Sequence, residues 1–403
     1  MLVLFTFGFS FFSIPACSFE SSLFLITWAI TLLMSAFMII SLAIFYGFKV
    51  DIVTICLVGF SISSVLSSAL NGFRSFSYTA PLLSLLAALI YTYVKGNRES
   101  MQLLFLSAFI GDILFLFLFC YRYRSELIGL NFTRLGEMFG DINDISIFLS
   151  LGYVLGAYYL LFRGNVLSKI VCIPVMLLFL FCAVTTGSKI FVLIFITSLI
   201  ALAFLFFGKK RWWAAIVFLI IAFGASFLIL QIPAFSTMRE RLLNMFSWIT
   251  GKSIDNVSTH DGSSEMRFHM LLAGFELFFR KPLFGWGISG FAYNGGLNNG
   301  WSHNNFSETF CNFGIVGTLL FHFGFFTSIY CSFRKPSKTK RLPVLILIFF
   351  ITCMFSVALN SQKIYSFLIP LVFCSLSDEL PNVLDFKKLN LKRFAKNENH
   401  TVN

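Results

Sequence analysis

About twelve apolar runs, parted by short basic loops, constrain this chain more than any other feature. They lie near residues 2–16, 22–46, 51–70, 79–94, 101–120, 143–162, 166–184, 190–207, 212–231, 306–332, 342–359 and 364–377. Runs of this kind suit helices that cross roughly 30 Å of hydrocarbon. Barrel strands would alternate apolar and polar residues over about ten positions, and no such alternation runs here. Only 12% of the residues are charged, against about 25% in soluble domains. The expected fold is therefore an all-α integral membrane protein of about 12 transmembrane helices. One polytopic domain would cover residues 1–378, and a basic tail residues 379–403.

Orientation follows from the basic residues. If the first span starts in the cytoplasm, the inside segments hold Lys49, Lys95, Arg98, Arg163, Lys169, Lys209 to Arg211, Arg334 to Arg341 and the Lys387 to Lys396 tail. Short cytoplasmic loops collect Lys and Arg, so both termini are expected inside. This anchoring supplies part of the net charge of +12, and nucleic-acid binding need not be invoked. Residues 1–16 lack the basic start of a cleaved signal peptide. The nine cysteines lack metal-ligand spacing and read as small hydrophobes.

Two outer segments are long. One runs from Tyr121 to about Asp141 and holds Arg122, Arg124, Glu126, Arg134 and Glu137. The other, residues 232–302, lies between the ninth and tenth spans and forms the expected large periplasmic loop. Apolar residues at helical spacing from Met266 to Phe279 predict a helix there, stopped by Pro282 and Gly285. Gly285-Trp-Gly, Gly290, Gly295-Gly296 and Gly300 predict a turn-rich return.

The stretch from Ser263 to Gly317 is a polar, basic island in an apolar chain, and charge beside a bilayer is usually kept for function. His303 opens a helix; Asn304 is placed to cap it, and Glu308 lies about a turn later on the same side. An imidazole here could take a proton from a hydroxyl near neutral pH, or simply hydrogen-bond backbone at the interface. Arg267 offers a planar fork suited to phosphate oxygens, or a snorkelling side chain. Lys189, in Thr185-Thr-Gly-Ser-Lys, breaks one apolar run from the next, as an anion ligand or an interfacial anchor. Arg280, Arg122 and Arg124 are further candidate cations on that face. Together these groups suit a lipid-linked diphosphate leaving group with a base for an incoming hydroxyl. No cofactor is implied, and no metal either, because the nearest acidic cluster, Asp141 to Asp144, opens a span and reads as a helix cap. Gly314 and Gly317 are expected to permit close helix packing. His260, His269 and His322 have no evident fixed partners.

Three patterns, Arg267-x-x-x-Leu271, Pro282-Leu-x-Gly285-x-Gly287, and His303-Asn304 followed after nine residues by Gly314-x-x-Gly317, resemble the O-antigen ligase and polymerase superfamily of bacterial inner membranes. That resemblance implies a glycosyltransferase acting at the periplasmic face on glycans carried by undecaprenyl diphosphate. His303 would activate the acceptor hydroxyl, and Arg267 would contact the diphosphate. The family's second arginine follows a Thr-x-Ser-like step, a position occupied here by Lys189, which keeps the charge and loses the bidentate fork. Ser302-His-Asn-Asn-Phe-Ser-Glu and Asp141-Ile-Asn-Asp-Ile look more like polymerases. The alternative is a ligase that transfers the glycan to lipid A–core. Implied partners are the lipid-linked oligosaccharide, membrane lipid, a chain-length regulator and a flippase. A transporter of lipid-linked glycans is the rival of another class; it would place its charges at the bilayer midplane on repeated halves.

Overall fold

A computed structural model describes residues 2–16, 21–73, 77–129, 134–163, 166–250, 262–295, 300–334, 338–376 and 380–386. His260 and the basic residues beyond 386 lie outside them. The fold is an α-helical bundle. Helices α1 (Leu2–Ala16), α2 (Ser21–Ser41), α3 (Ile52–Leu70), α4 (Thr79–Gly96) and α5 (Ser100–Arg122) form its first part. Next come the short α6 (Arg124–Ile128), then α7 (Ile142–Tyr158), α8 (Val166–Thr185), α9 (Lys189–Phe207) and α10 (Trp212–Leu230). Residues 232–302 carry α11 (Ser236–Thr250), α12 (Gly262–Arg280) and α13 (Gly290–Asn294), and α14 (Asn305–Arg334), α15 (Arg341–Cys353) and α16 (Lys363–Leu376) follow.

Among the described residues, eight helices are long and apolar enough to cross a membrane. Four shorter apolar helices, Val3–Pro15, Lys169–Thr185, Arg341–Cys353 and Lys363–Leu376, stand where the other runs were read. Among the described residues, a two-stranded antiparallel pair, β1 (Phe48–Val50) with β2 (Leu384–Phe386), ties the start of the tail to the loop before α3.

Lys95 is more than a loop charge. Its Nζ lies 2.5 Å from Asp51 Oδ2, with the two side chains 8% and 0% exposed. Asp51 also accepts from Tyr91 Oη at 2.6 Å and caps α3 through the Thr54 N–H at 3.0 Å.

Two expectations about the last helices are corrected. The run read as a helix over 342–359 stops at Cys353. Although the sequence stays apolar, Asn305 takes over the backbone beyond it: its N–H donates to Met354 C=O (2.8 Å), and its Oδ1 accepts from Leu359 N–H (2.9 Å). A side chain that satisfies backbone groups in this way competes with helix. Gly314, expected to ease helix packing, instead breaks α14. It sits at φ 61°, and a Cβ there would lie 2.4 Å from the Leu283 backbone. Left-handed backbone is cheap only for glycine. The carbonyls freed by the break are met by the 282–287 turn, where Trp286 N–H donates to Cys311 C=O (2.9 Å) and Gly287 N–H to Asn312 C=O (2.8 Å). Gly317 does pack closely, against Ser63 of α3.

Candidate functional site

The ends of α3, α8 and α15 and the starts of α7, α9, α14 and α16 meet at one end of the bundle. Each start exposes backbone N–H groups that need partners, which draws polar side chains to this end. Asp141 caps α7, its Oδ1 accepting from Asn143 N–H at 2.7 Å. Asn304 caps α14, accepting from Phe306 N–H (3.0 Å) and Ser307 N–H (3.1 Å). Ser188 Oγ donates to Asn143 Oδ1 (2.8 Å), linking the start of α9 to that of α7.

Lys189 Nζ donates to Ser264 Oγ at 3.1 Å. Ser264 and Arg267 lie one turn apart on α12, so both cations border the same helix face. His303 feels Arg267 and Asp141 electrostatically and faces the Ser356 backbone. Its proton affinity lies below the ordinary imidazole value, chiefly through burial and next through Arg267, with Asp141 and the Ser356 backbone opposing. A neutral imidazole carries one ring nitrogen that can accept a proton. His303 is held at φ 51°, a left-handed conformation that persists in a non-glycine residue only when its surroundings over-determine it. The neighbouring Ser302 N–H donates to Glu308 Oε2 (2.8 Å), while Glu308 Oε1 accepts from Asn312 Nδ2 (3.0 Å). Glu308 is fully buried, so this carboxylate pins the loop that carries the imidazole.

The glycine of the Thr-Thr-Gly-Ser-Lys turn has φ 61°. A Cβ on Gly187 would stand 3.3 Å from Arg134 Cγ and 3.9 Å from Arg241 Cδ. Two more guanidinium stems therefore bracket the turn that presents Lys189. Below it, α8, α9, α10 and α11 enclose an apolar cavity of about 400 Å³, lined by Val184, Phe191, Val192, Phe227, Met238 and Leu242 among others. On the other side, Asp141, Asp144, Gln362 and Lys363 line a cavity of about 210 Å³. Gln362 Nε2 donates to both Asp144 oxygens at 3.1 and 3.2 Å.

The remaining candidate cations sit elsewhere. Arg280 makes an exposed pair with Glu276 at 2.5 Å, one turn back on α12. Arg124 donates to Tyr121 C=O (3.1 Å) and lies over the Tyr121 ring. Arg122 is exposed at the end of α5. His322, read as lacking a fixed partner, is pinned in the core: Nδ1 meets Thr318 C=O (2.9 Å) and Nε2 meets Asn305 Nδ2 (3.0 Å). His269 is exposed beside Phe268. Among the described residues, no three His, Cys, Asp or Glu side chains gather as a metal site.

The segment from α8 to the middle of α14 holds Lys189, Arg267 and His303. Residues 174–322 match the model of the O-antigen ligase family. This match supports the O-antigen ligase and polymerase superfamily read from the motifs, as a membrane enzyme of ligase or polymerase type. No curated protein matches the chain.

Proposed function

We propose that this protein is a glycosyltransferase that polymerises repeat units carried on undecaprenyl diphosphate at the periplasmic face of a bacterial inner membrane. Twelve spans, the eight long helices with the four shorter ones, would leave both termini cytoplasmic and residues 232–302 outside. The observation that carries the reading is one imidazole within electrostatic reach of both Arg267 and Asp141, with Lys189 hydrogen-bonded to Ser264 on the Arg267 helix.

In the proposed step the acceptor hydroxyl gives its proton to His303, and its oxygen bonds to the anomeric carbon of the donor sugar. The bond from that carbon to the diphosphate breaks, and the electron pair leaves on the lipid diphosphate. Arg267 and Lys189 hold the diphosphate and stabilise the charge gathering there, so the step asks for no metal. Burial that keeps His303 neutral keeps it available as a base. The apolar cavity beside Lys189 has the chemistry to receive hydrocarbon next to an anionic head group. A flippase would deliver the donor, and a chain-length regulator would set the product.

A ligase is the second reading, favoured by the description of the matched family. Gel analysis of lipopolysaccharide from a deletion strain decides between them. A single repeat unit on the core supports the polymerase. Bare core with accumulating lipid-linked polymer supports the ligase and overturns the polymerase reading.

A further inference from the structure

A third cavity, of about 270 Å³, opens between the start of α4, the turn before α13, and the chain just before α14. Its walls include Thr79, Ser289, Trp301, Asn312, Asn360 and Gln362. None of its described lining residues is charged. This separates it from the cations around Gly187 and Arg267, and makes it a poor host for a diphosphate.

Asn360 supplies the decisive detail. The residue is 5% exposed, yet its Oδ1 has no hydrogen-bond partner. A buried acceptor left unmade costs about 1–3 kcal/mol, so a native fold that keeps one at a cavity wall has a use for it. Gln362 commits its Nε2 to Asp144, which leaves its carbonyl oxygen as a second acceptor at the same wall. Asn312 has both amide groups engaged, Nδ2 on Glu308 and Oδ1 on Phe291 N–H at 2.8 Å, so it forms a fixed floor. Trp301 is 45% exposed and lies two residues before His303. The negative face of an indole attracts groups with a positive edge, and the C–H face of a sugar ring is one.

We infer that this cavity binds a neutral sugar ring of the acceptor, with Trp301 stacked on the ring and the Asn360 and Gln362 carbonyls accepting from its hydroxyls. The inference rests on the transferase reading and adds to it a side for the acceptor. Gln362 lines both this cavity and the one at Asp141 and Asp144, so a ring held here borders the wall that adjoins the base.

The test uses the full chain in nanodiscs. Saturation-transfer NMR with glucose, galactose, mannose and N-acetylglucosamine reads sugar binding directly. Kinetics with authentic lipid-linked substrate read transfer. Trp301→Ala and Asn360→Leu are each expected to abolish the NMR signal and to raise the acceptor KM about tenfold, with little change in kcat and no change in donor affinity. Removing an orphaned buried acceptor is close to neutral for stability, so Asn360→Leu should unfold no more easily than the wild type. That keeps the variant informative where Trp301→Ala folds poorly. Wild-type transfer with unchanged acceptor KM in both variants overturns the sugar subsite and leaves the transferase reading standing. No transfer by the wild type with authentic donor and acceptor overturns both.

Discussion

Replacing Glu308 with Ala should separate the position of His303 from its presence. The carboxylate is fully buried and accepts from two donors, Ser302 N–H and Asn312 Nδ2. Each donor left without an acceptor costs about 1–3 kcal/mol, so the variant should lose about 2–6 kcal/mol by that principle. The Ser302 N–H directly precedes the strained His303, whose left-handed backbone relaxes once the neighbour is released. A displacement of about 1 Å at a catalytic group costs about a hundredfold in rate. Glu308→Gln is the partial repair. Its amide has one acceptor oxygen, so it can serve Ser302 or Asn312 but not both, and its own NH₂ then faces a donor. Asn312 cannot turn to help, because its Oδ1 already accepts from Phe291 N–H. Turnover per folded molecule in proteoliposomes, measured well below the unfolding midpoint, should rank wild type above Gln and Gln above Ala. If Glu308→Ala proves destabilised yet turns over normally per folded molecule, the carboxylate is structural only and the positioning argument is wrong.

Three further outcomes follow. The acid limb of kcat/KM, which reports free-enzyme groups, should fall below about pH 6.5, the ordinary imidazole value. Arg267→Gln removes a cation that lowers His303's proton affinity, so the limb should move up. Asp141→Asn removes an opposing anion, so it should move down. The same depressed affinity means the unfolded chain binds more protons in this window, so His303's contribution to stability rises with pH there. Gly187→Ala should cost about 1–2 kcal/mol for left-handed backbone and weaken diphosphate binding, because its Cβ presses on Arg134; inhibition by inorganic pyrophosphate checks this. Asp51→Ala leaves Lys95 buried without its partner and should cost about 3–5 kcal/mol. It lies at the other end of α3 from the site, so chemical denaturation should shift while the acid limb stays in place.

Much of the fold was legible because burial in lipid leaves a strong local mark. Apart from the end of the 342–359 run, the apolar runs fall on helices, and the Met266 to Phe279 periodicity lies inside α12. His303, Arg267 and Lys189 stood out because an ionisable group is conspicuous in such a chain. What the local pattern could not carry was contact across the chain. Asn305 ends α15 from far away in sequence, and an apolar run gives no warning of it. Gly314 looked like a packing glycine because spacing alone does not say that the 282–287 turn will occupy its carbonyl side. Arg134 and Arg241 were invisible as a pair, since they lie far apart in sequence and only the folded Gly187 turn brings them together. Helix α11 did leave a signal, with Met238, Leu242, Met245 and Ile249 at helical spacing, in a segment read mainly for its length. Asp141 was read only as a cap; that role is real, and its effect on His303 arises from the tertiary fold.

Transfer by the His303→Ala protein is the most direct measurement. Purified wild type in proteoliposomes, supplied with lipid-linked repeat units, should form new glycosidic bonds and release prenyl diphosphate. The variant should still fold and still bind the donor, with no detectable bond formation. Transfer at the wild-type rate without that imidazole would contradict the account.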